Sequence, residues 1–294
     1  MDNGMKWRIG DVEISRIPEF EAAMFDPAMI YPDLPKERLD QHRGWLEPKF
    51  LDPATGKLTL SIHAFVIKTK RHAILVDACS GNDKERPSRP LFHRQNRPWL
   101  ERLDAAGFKP GDIDYVLCTH LHIDHVGWNT RLVGGRWVPT FPNARYLITR
   151  AEWDHWQDES KTASYGSDDH IKDSVLPVIE AGLVDFVAPD YGFDEEAWLE
   201  PTPGHTPGHV CLRVRSHGHE AALTGDLMHT ALQCAEPEVS SCFCVDPALS
   251  ARTRRGFLER VAGRPTLVLP AHFPTPSGGF VEPAGSGFRF RFED

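Results

Sequence analysis

Three histidines and one aspartate fall within six residues, at His120, His122, Asp124 and His125, in the run THLHIDHVGWN. No other stretch limits the fold as tightly. Residues 113–118 (IDYVLC) are apolar and β-branched and read as a buried strand. The cluster therefore lies where a strand leaves the core and the backbone is free to turn. Such a turn can aim several side chains at one point. Neutral imidazoles and a carboxylate suit zinc and related divalent ions. One histidine near an acid carries little meaning, but four donors at this spacing read as a metal site.

Further donors follow at the ends of other strand-like runs. They are His205 and His209 in PGHTPGH (203–209), Asp226 after Gly225, and His272 in PAH (270–272). Taken in order, His120-x-His122-x-Asp124-His125 and these three segments resemble the signature of the metallo-β-lactamase superfamily. The resemblance covers roughly residues 60–280. It implies an α/β fold, an αββα sandwich of two mixed β-sheets flanked by helices, with the metals at one edge between the sheets. It also implies a cofactor of two divalent metal ions, zinc foremost. His120, His122 and His205 would hold one ion and Asp124, His125 and His272 the other, with Asp226 between them. His209 is then the structural member of its pair. Seven donors are too many for one tetrahedral zinc and suit two ions. Two ions about 3.5–4 Å apart can share a hydroxide, and the reaction class is hydrolysis.

Two neighbours refine this expectation. Asp77 ends a strand-like run, where the family places an acid able to orient a ligand imidazole. The usual Asp-Thr-Gly is here Asp77-Ala78-Cys79-Ser80-Gly81. His229 lies three residues after Asp226, where some quorum-quenching lactonases hold a tyrosine. That segment is closer to the branch containing methyl parathion hydrolase and related lactonases. Catalytic roles are accordingly expected for Asp124, as a proton donor to the leaving group, and for His229, against the substrate. The alternative for His229 is a helix-start residue capped locally.

Composition narrows the partners. A net charge of −9 without a basic block argues against nucleic acid, whose phosphates require a basic footprint. Six cysteines without a CxxC pair favour reduced thiols and a cytoplasmic location. The start, MDNGMKWRIGDVEI, has no apolar leader core, and no run reaches membrane-spanning length. One domain over residues 1–294 is expected.

Along the chain, residues 6–17 read as a hairpin around Gly10-Asp11. Residues 18–60 carry six prolines and many large apolar side chains. They predict an irregular segment that covers the pocket or forms a homodimer contact. Residues 63–67 and 72–77 form a second hairpin, and 81–98 read as an exposed polar loop. Helices are expected over 99–107, from 150 to 156, over 171–181 with a break at Pro177, and over 248–262. His155 and His170 have no evident partner in the sequence. Residues 288–292 read as a last edge strand.

The substrate class that fits is a small neutral lactone or related ester with a hydrophobic group. Organophosphate or aryl esters are the nearest alternative. A thioesterase of the hydroxyacylglutathione type requires basic residues that are not evident. An iron-dependent dioxygenase would use the same donors. A zinc-stabilised binding protein is the non-enzymatic reading, and it is disfavoured because all seven donors are present.

Overall fold

The computed structural model describes residues 5–158, 161 and 168–293. Two mixed sheets are built from strands of three to fourteen residues, the inner ones strongly apolar. The first has the order β1-β2-β3-β4-β5-β8-β9 and the second β10-β11-β12-β13-β14-β15; β6 and β7 form a separate ribbon. In the first sheet the strands are β1 (Lys6–Ile9), β2 (Val12–Phe25), β3 (Leu58–Lys68), β4 (Ala73–Val76), β5 (Tyr115–Leu117), β8 (Arg145–Thr149) and β9 (Val184–Val187). In the second they are β10 (Ala197–Pro201), β11 (Val210–Ser216), β12 (His219–Leu223), β13 (Thr266–Leu269), β14 (Gly279–Ala284) and β15 (Gly287–Phe292). The ribbon is β6 (Thr130–Val133) and β7 (Arg136–Pro139).

The inner faces of the sheets share one core, in which Ile14, Phe65, Ile74 and Leu117 of the first sheet pack with Leu199, Leu212, Leu223 and Leu267 of the second. Helix α3 (Trp99–Ala105) covers the outer face of the first sheet through Trp99 and Leu103. Helices α1 (Pro27–Ile30), α2 (Lys36–Leu46), α7 (Leu232–Ala235) and α8 (Pro247–Val261) cover the outer face of the second. Helices α4 (Arg150–Trp156), α5 (His170–Ser174) and α6 (Leu176–Glu180) complete the first layer. The result is the expected αββα sandwich.

The site edge is set by four strands. β4 runs parallel to β5, and β12 runs parallel to β13. Parallel neighbours end at the same edge of a sheet. Asp77 follows β4, the histidine cluster follows β5, Asp226 follows β12 and His272 follows β13. The loop 202–209 between β10 and β11 brings His205 to the same edge.

Several expectations are corrected here. The segment 18–60 is not irregular, because its prolines punctuate regular elements. Pro18 sits where the β2–β3 register shifts. Pro27 opens α1, whose N-cap Asp26 accepts from the Ala28 amide, and Pro35 is the N-cap residue of α2. Proline costs nothing at these places, where its missing N–H would have no helical partner. The loop 81–98 is not uniformly exposed: Lys84, Arg86 and Phe92 are buried. Asp246 caps α8, its side chain accepting from the Leu249 amide. β9 and β14 were not anticipated.

Candidate metal centre

The donors form two groups. His120, His122, His205 and Asp226 make one, and Asp124, His125 and His272 make the other. In the first, His122 Nδ1 lies 3.1 Å from His120 Nε2 and 2.9 Å from His205 Nε2. Asp226 Oδ2 is 3.2 Å from His205 Nε2 and 3.7 Å from His120 Nε2. In the second, His125 Nε2 and His272 Nε2 are 3.3 Å apart. Asp226 Oδ1 stands 3.2 Å from the first of these nitrogens and 3.0 Å from the second. Asp124 is 3.7 Å from each. Asp226 thus turns one oxygen to each group.

The far side of each ring explains why these nitrogens face inward. His125 Nδ1 donates to Asp77 Oδ2 at 2.9 Å, and His272 Nδ1 donates to the Ser61 carbonyl at 3.0 Å. His120 Nδ1 lies 3.1 Å from Thr119 Oγ1, whose own proton goes to Asp77. His205 Nδ1 faces Cys244 Sγ at 3.5 Å. With a proton held on the outer nitrogen, the inner one presents a lone pair. Several lone pairs then meet across about 3 Å, which is unfavourable without a cation. Asp226 Oδ1 is buried without a hydrogen-bond donor. Burial also pushes His120 and His122 well below the usual imidazole range, keeping them in the neutral form a metal requires. Burial opposes the charge on Asp226, but the neighbouring imidazoles, His125 and His272 foremost, outweigh it and hold its carboxyl well below the usual range. By these observations the donor set fits two divalent cations.

His209 stands apart from the donor groups. Its Nδ1 contacts Thr202, and its Nε2 accepts from the Asp226 amide at 3.0 Å. Gly225 makes that approach feasible. Its φ is +49°, in the left-handed region that favours glycine, and an added Cβ would lie 2.7 Å from His209 Nε2. His229 is held locally at its backbone, and its ring also faces the donor groups. Its backbone N–H is held by Gln233 Oε1 at 2.7 Å, and its ring reaches the centre, with Nε2 3.3 Å from Asp226 Oδ2. Burial lowers its pKa to about 4, so the ring is neutral.

A cavity of about 390 Å³ opens above the donors. Its floor includes Asp124, Asp226, His122, His229 and His272, and its walls are Phe25, Met29, Leu60, Ile62, Leu91, Phe92, Ile123 and Phe243. Phe25 and Met29 come from the 18–60 stretch, expected to cover the pocket. Leu91 and Phe92 come from the loop read as merely exposed. Ser61 and Cys244 were also missed, since a backbone carbonyl and a lone thiol leave no pattern in sequence.

Comparison with known proteins follows the same line. The profile of the metallo-beta-lactamase superfamily matches residues 59–282. An N-acyl homoserine lactonase from a Bacillus species is 26% identical over 171 residues, which is 54% of this chain and 60% of that protein. This chain therefore spans less than two thirds of that relative's length in the match. The structure of the hydrolase AbOPH superposes with a TM-score of 0.83 at 23% identity, covering 100% of this chain and 99% of the other. AidC, a dizinc quorum-quenching lactonase solved with a product, gives a TM-score of 0.79 at 20% identity, covering 99% and 98%. At these identities the solved structures bear on the fold. The profile match spans most of the chain, and the chain belongs to the metallo-beta-lactamase superfamily.

Proposed function

We propose that this chain is a dinuclear metal-dependent hydrolase that opens a small lactone or cleaves a related ester. The observation that carries this reading is Asp226, with one oxygen toward each donor group, beneath an apolar cavity. In the proposal His120, His122 and His205 hold one ion, Asp124, His125 and His272 hold the other, and Asp226 is shared. Two such ions, zinc foremost, supply Lewis acidity and a water activated at neutral pH. The chain's own residues do the rest. The apolar walls seat a hydrocarbon or aryl group and exclude water around it. Asp124, at the cavity floor, is suited to pass a proton to the leaving oxygen. His229, neutral and 3.3 Å from Asp226, is suited to hold that oxygen or its proton.

The lining favours a neutral substrate. Arg89, which reaches the cavity, is tied to Asp168 and Ser88. This speaks against an anionic glutathione thioester. Aryl or organophosphate esters are the second reading, favoured by Phe25, Phe92 and Phe243 in the walls. A cytoplasmic location and a homodimer are carried in the same proposal. The six cysteines stand as free thiols, and no helix among the described residues is long and apolar enough to cross a membrane.

The test is acid release, followed with a pH indicator, on N-hexanoyl and N-dodecanoyl homoserine lactones, with metal content measured alongside. Chelator-sensitive ring opening by a protein holding two zinc ions supports the reading. Activity only on aryl esters or phosphotriesters would move the assignment to the second reading. Stoichiometric iron without hydrolysis of either class would replace it with oxidative chemistry.

A further inference from the structure

Leu121 is the spacer of the His120-x-His122 motif, and its peptide groups are held from both sides. Its N–H donates to Glu152 Oε1 at 2.9 Å, and its carbonyl accepts from His170 Nε2 at 2.6 Å. The other oxygen of Glu152 accepts the Gly208 N–H at 2.9 Å. Gly208 lies three residues after His205, and its carbonyl accepts from Thr149 Oγ1 at 2.7 Å. One carboxylate at the β8–α4 corner therefore ties together two loops that are distant in sequence. The donor atoms those loops deliver, His122 Nδ1 and His205 Nε2, end 2.9 Å apart.

The corner is closely fitted. A Cβ on Gly208 would lie 2.2 Å from the Glu152 nitrogen and 2.5 Å from its Cβ. Trp156 donates to Glu152 Oε1 at 2.6 Å and sets its ring edge-on to His122 at 5.4 Å. Glu152 is 1% exposed, and its partners here are N–H groups. Burying a carboxylate in this way is costly unless donors surround it. Here the donors are the loops that carry metal ligands.

We infer that Glu152, with Thr149 and His170, is a positioning device that sets the spacing of the three-histidine site by clamping the peptides of Leu121 and Gly208. This rests on the proposed metal site. Glutamine at 152 would turn an N–H₂ toward one of the two amides, so that one loop loses its acceptor while the shape is kept.

The experiment titrates metal-free protein with cobalt(II) against a chromophoric chelator, using the visible cobalt bands to distinguish the sites. Thermal unfolding of the metal-free protein is measured in parallel. Wild type is expected to take two ions. Glu152→Gln is expected to bind about tenfold to a hundredfold more weakly at the three-histidine site, the range for lost outer partners of metal ligands, and to keep the Asp124, His125 and His272 site. Glu19→Gln is the control. Glu19 is equally buried and accepts from Ser80, Gly81 and the Trp128 indole, away from both clamped peptides. It should lower the melting temperature and leave the three-histidine affinity unchanged. A Glu152→Gln protein that loses stability but keeps wild-type affinity at both sites overturns the clamp. If Glu152→Gln does not fold, Thr149→Val decides: unchanged affinity there overturns the inference, and selective weakening supports it. Wild type that takes no metal would instead overturn the metal reading itself.

Discussion

At the scale of single residues, the chemistry turns on which nitrogen of each ring faces inward. Asp77 fixes His125, and Asp226 faces both groups. Replacing Asp226 with alanine is expected to leave a folded protein that holds less than one metal ion per chain and has no measurable hydrolysis. Elemental analysis and the indicator assay check this, and full activity would sink the shared-carboxylate arrangement. Asp77→Asn removes the acceptor for the His125 N–H and is expected to weaken metal binding by about tenfold to a hundredfold. His229→Ala should behave differently. If its ring acts on the leaving oxygen, metal content stays at two and kcat falls by about a hundredfold, the lower range for a lost general acid or base. An unchanged kcat would assign the ring to packing against His272, on which it stacks at 5.7 Å. All seven residues that the structure gathers into the two groups were legible in the sequence, because the motifs name them. Glu152 and His170 were not, since their partners are backbone groups far along the chain.

At the scale of elements, the strands ending at the site were legible from short apolar runs, and α8 from its apolar spacing. β9 and β14 were not: the four residues of β9 are interrupted by Asp185, and β14 contains both glycine and proline. The prolines of 18–60 misled for the opposite reason. Their positions at a register shift and at helix starts matter more than their number. Arg254 shows how α8 serves the site. It is fully buried, and its guanidinium donates to the carbonyls of Leu227, Pro237 and Val239 and to Ser240 Oγ. It thereby fastens the turn after Asp226 and the segment leading to Phe243. Arg254→Met would leave those carbonyls without donors. It is expected to cost about 2–4 kcal/mol in urea unfolding, as for other buried unsatisfied groups. A loss below about 0.5 kcal/mol would mean that water replaces the guanidinium.

At the scale of the whole molecule, stability should depend on both pH and metal. His170 is buried, and burial lowers its pKa from 6.5 to about 4. Between those values the unfolded chain takes up a proton that the folded chain refuses. The folded state therefore loses stability as pH falls from about 6.5 toward 4, by on the order of 3 kcal/mol from this residue. Urea unfolding of metal-free wild type and His170→Gln across that range checks the sign, and the variant should have the shallower slope. Equal slopes would show that folding leaves the His170 pKa unshifted. Added zinc should raise the melting temperature of the metal-free protein, since an ion bound only by the folded chain stabilises it by mass action.

Through its local patterns and the family resemblance they carry, the chain's sequence by itself pointed to the layer architecture, to the seven residues that the structure gathers into two groups, and to His205 rather than His209 among them. Those features are written in local patterns: apolar runs that form strands, and donors placed just beyond their ends. Only the tertiary structure decided which groups complete the site. The Ser61 carbonyl meets His272 across 211 positions, Glu152 joins Leu121 to Gly208, and Leu91 and Phe92 close over the metal centre. Local preference sets where a strand ends, but contacts between distant segments exist only once the two sheets have packed face to face.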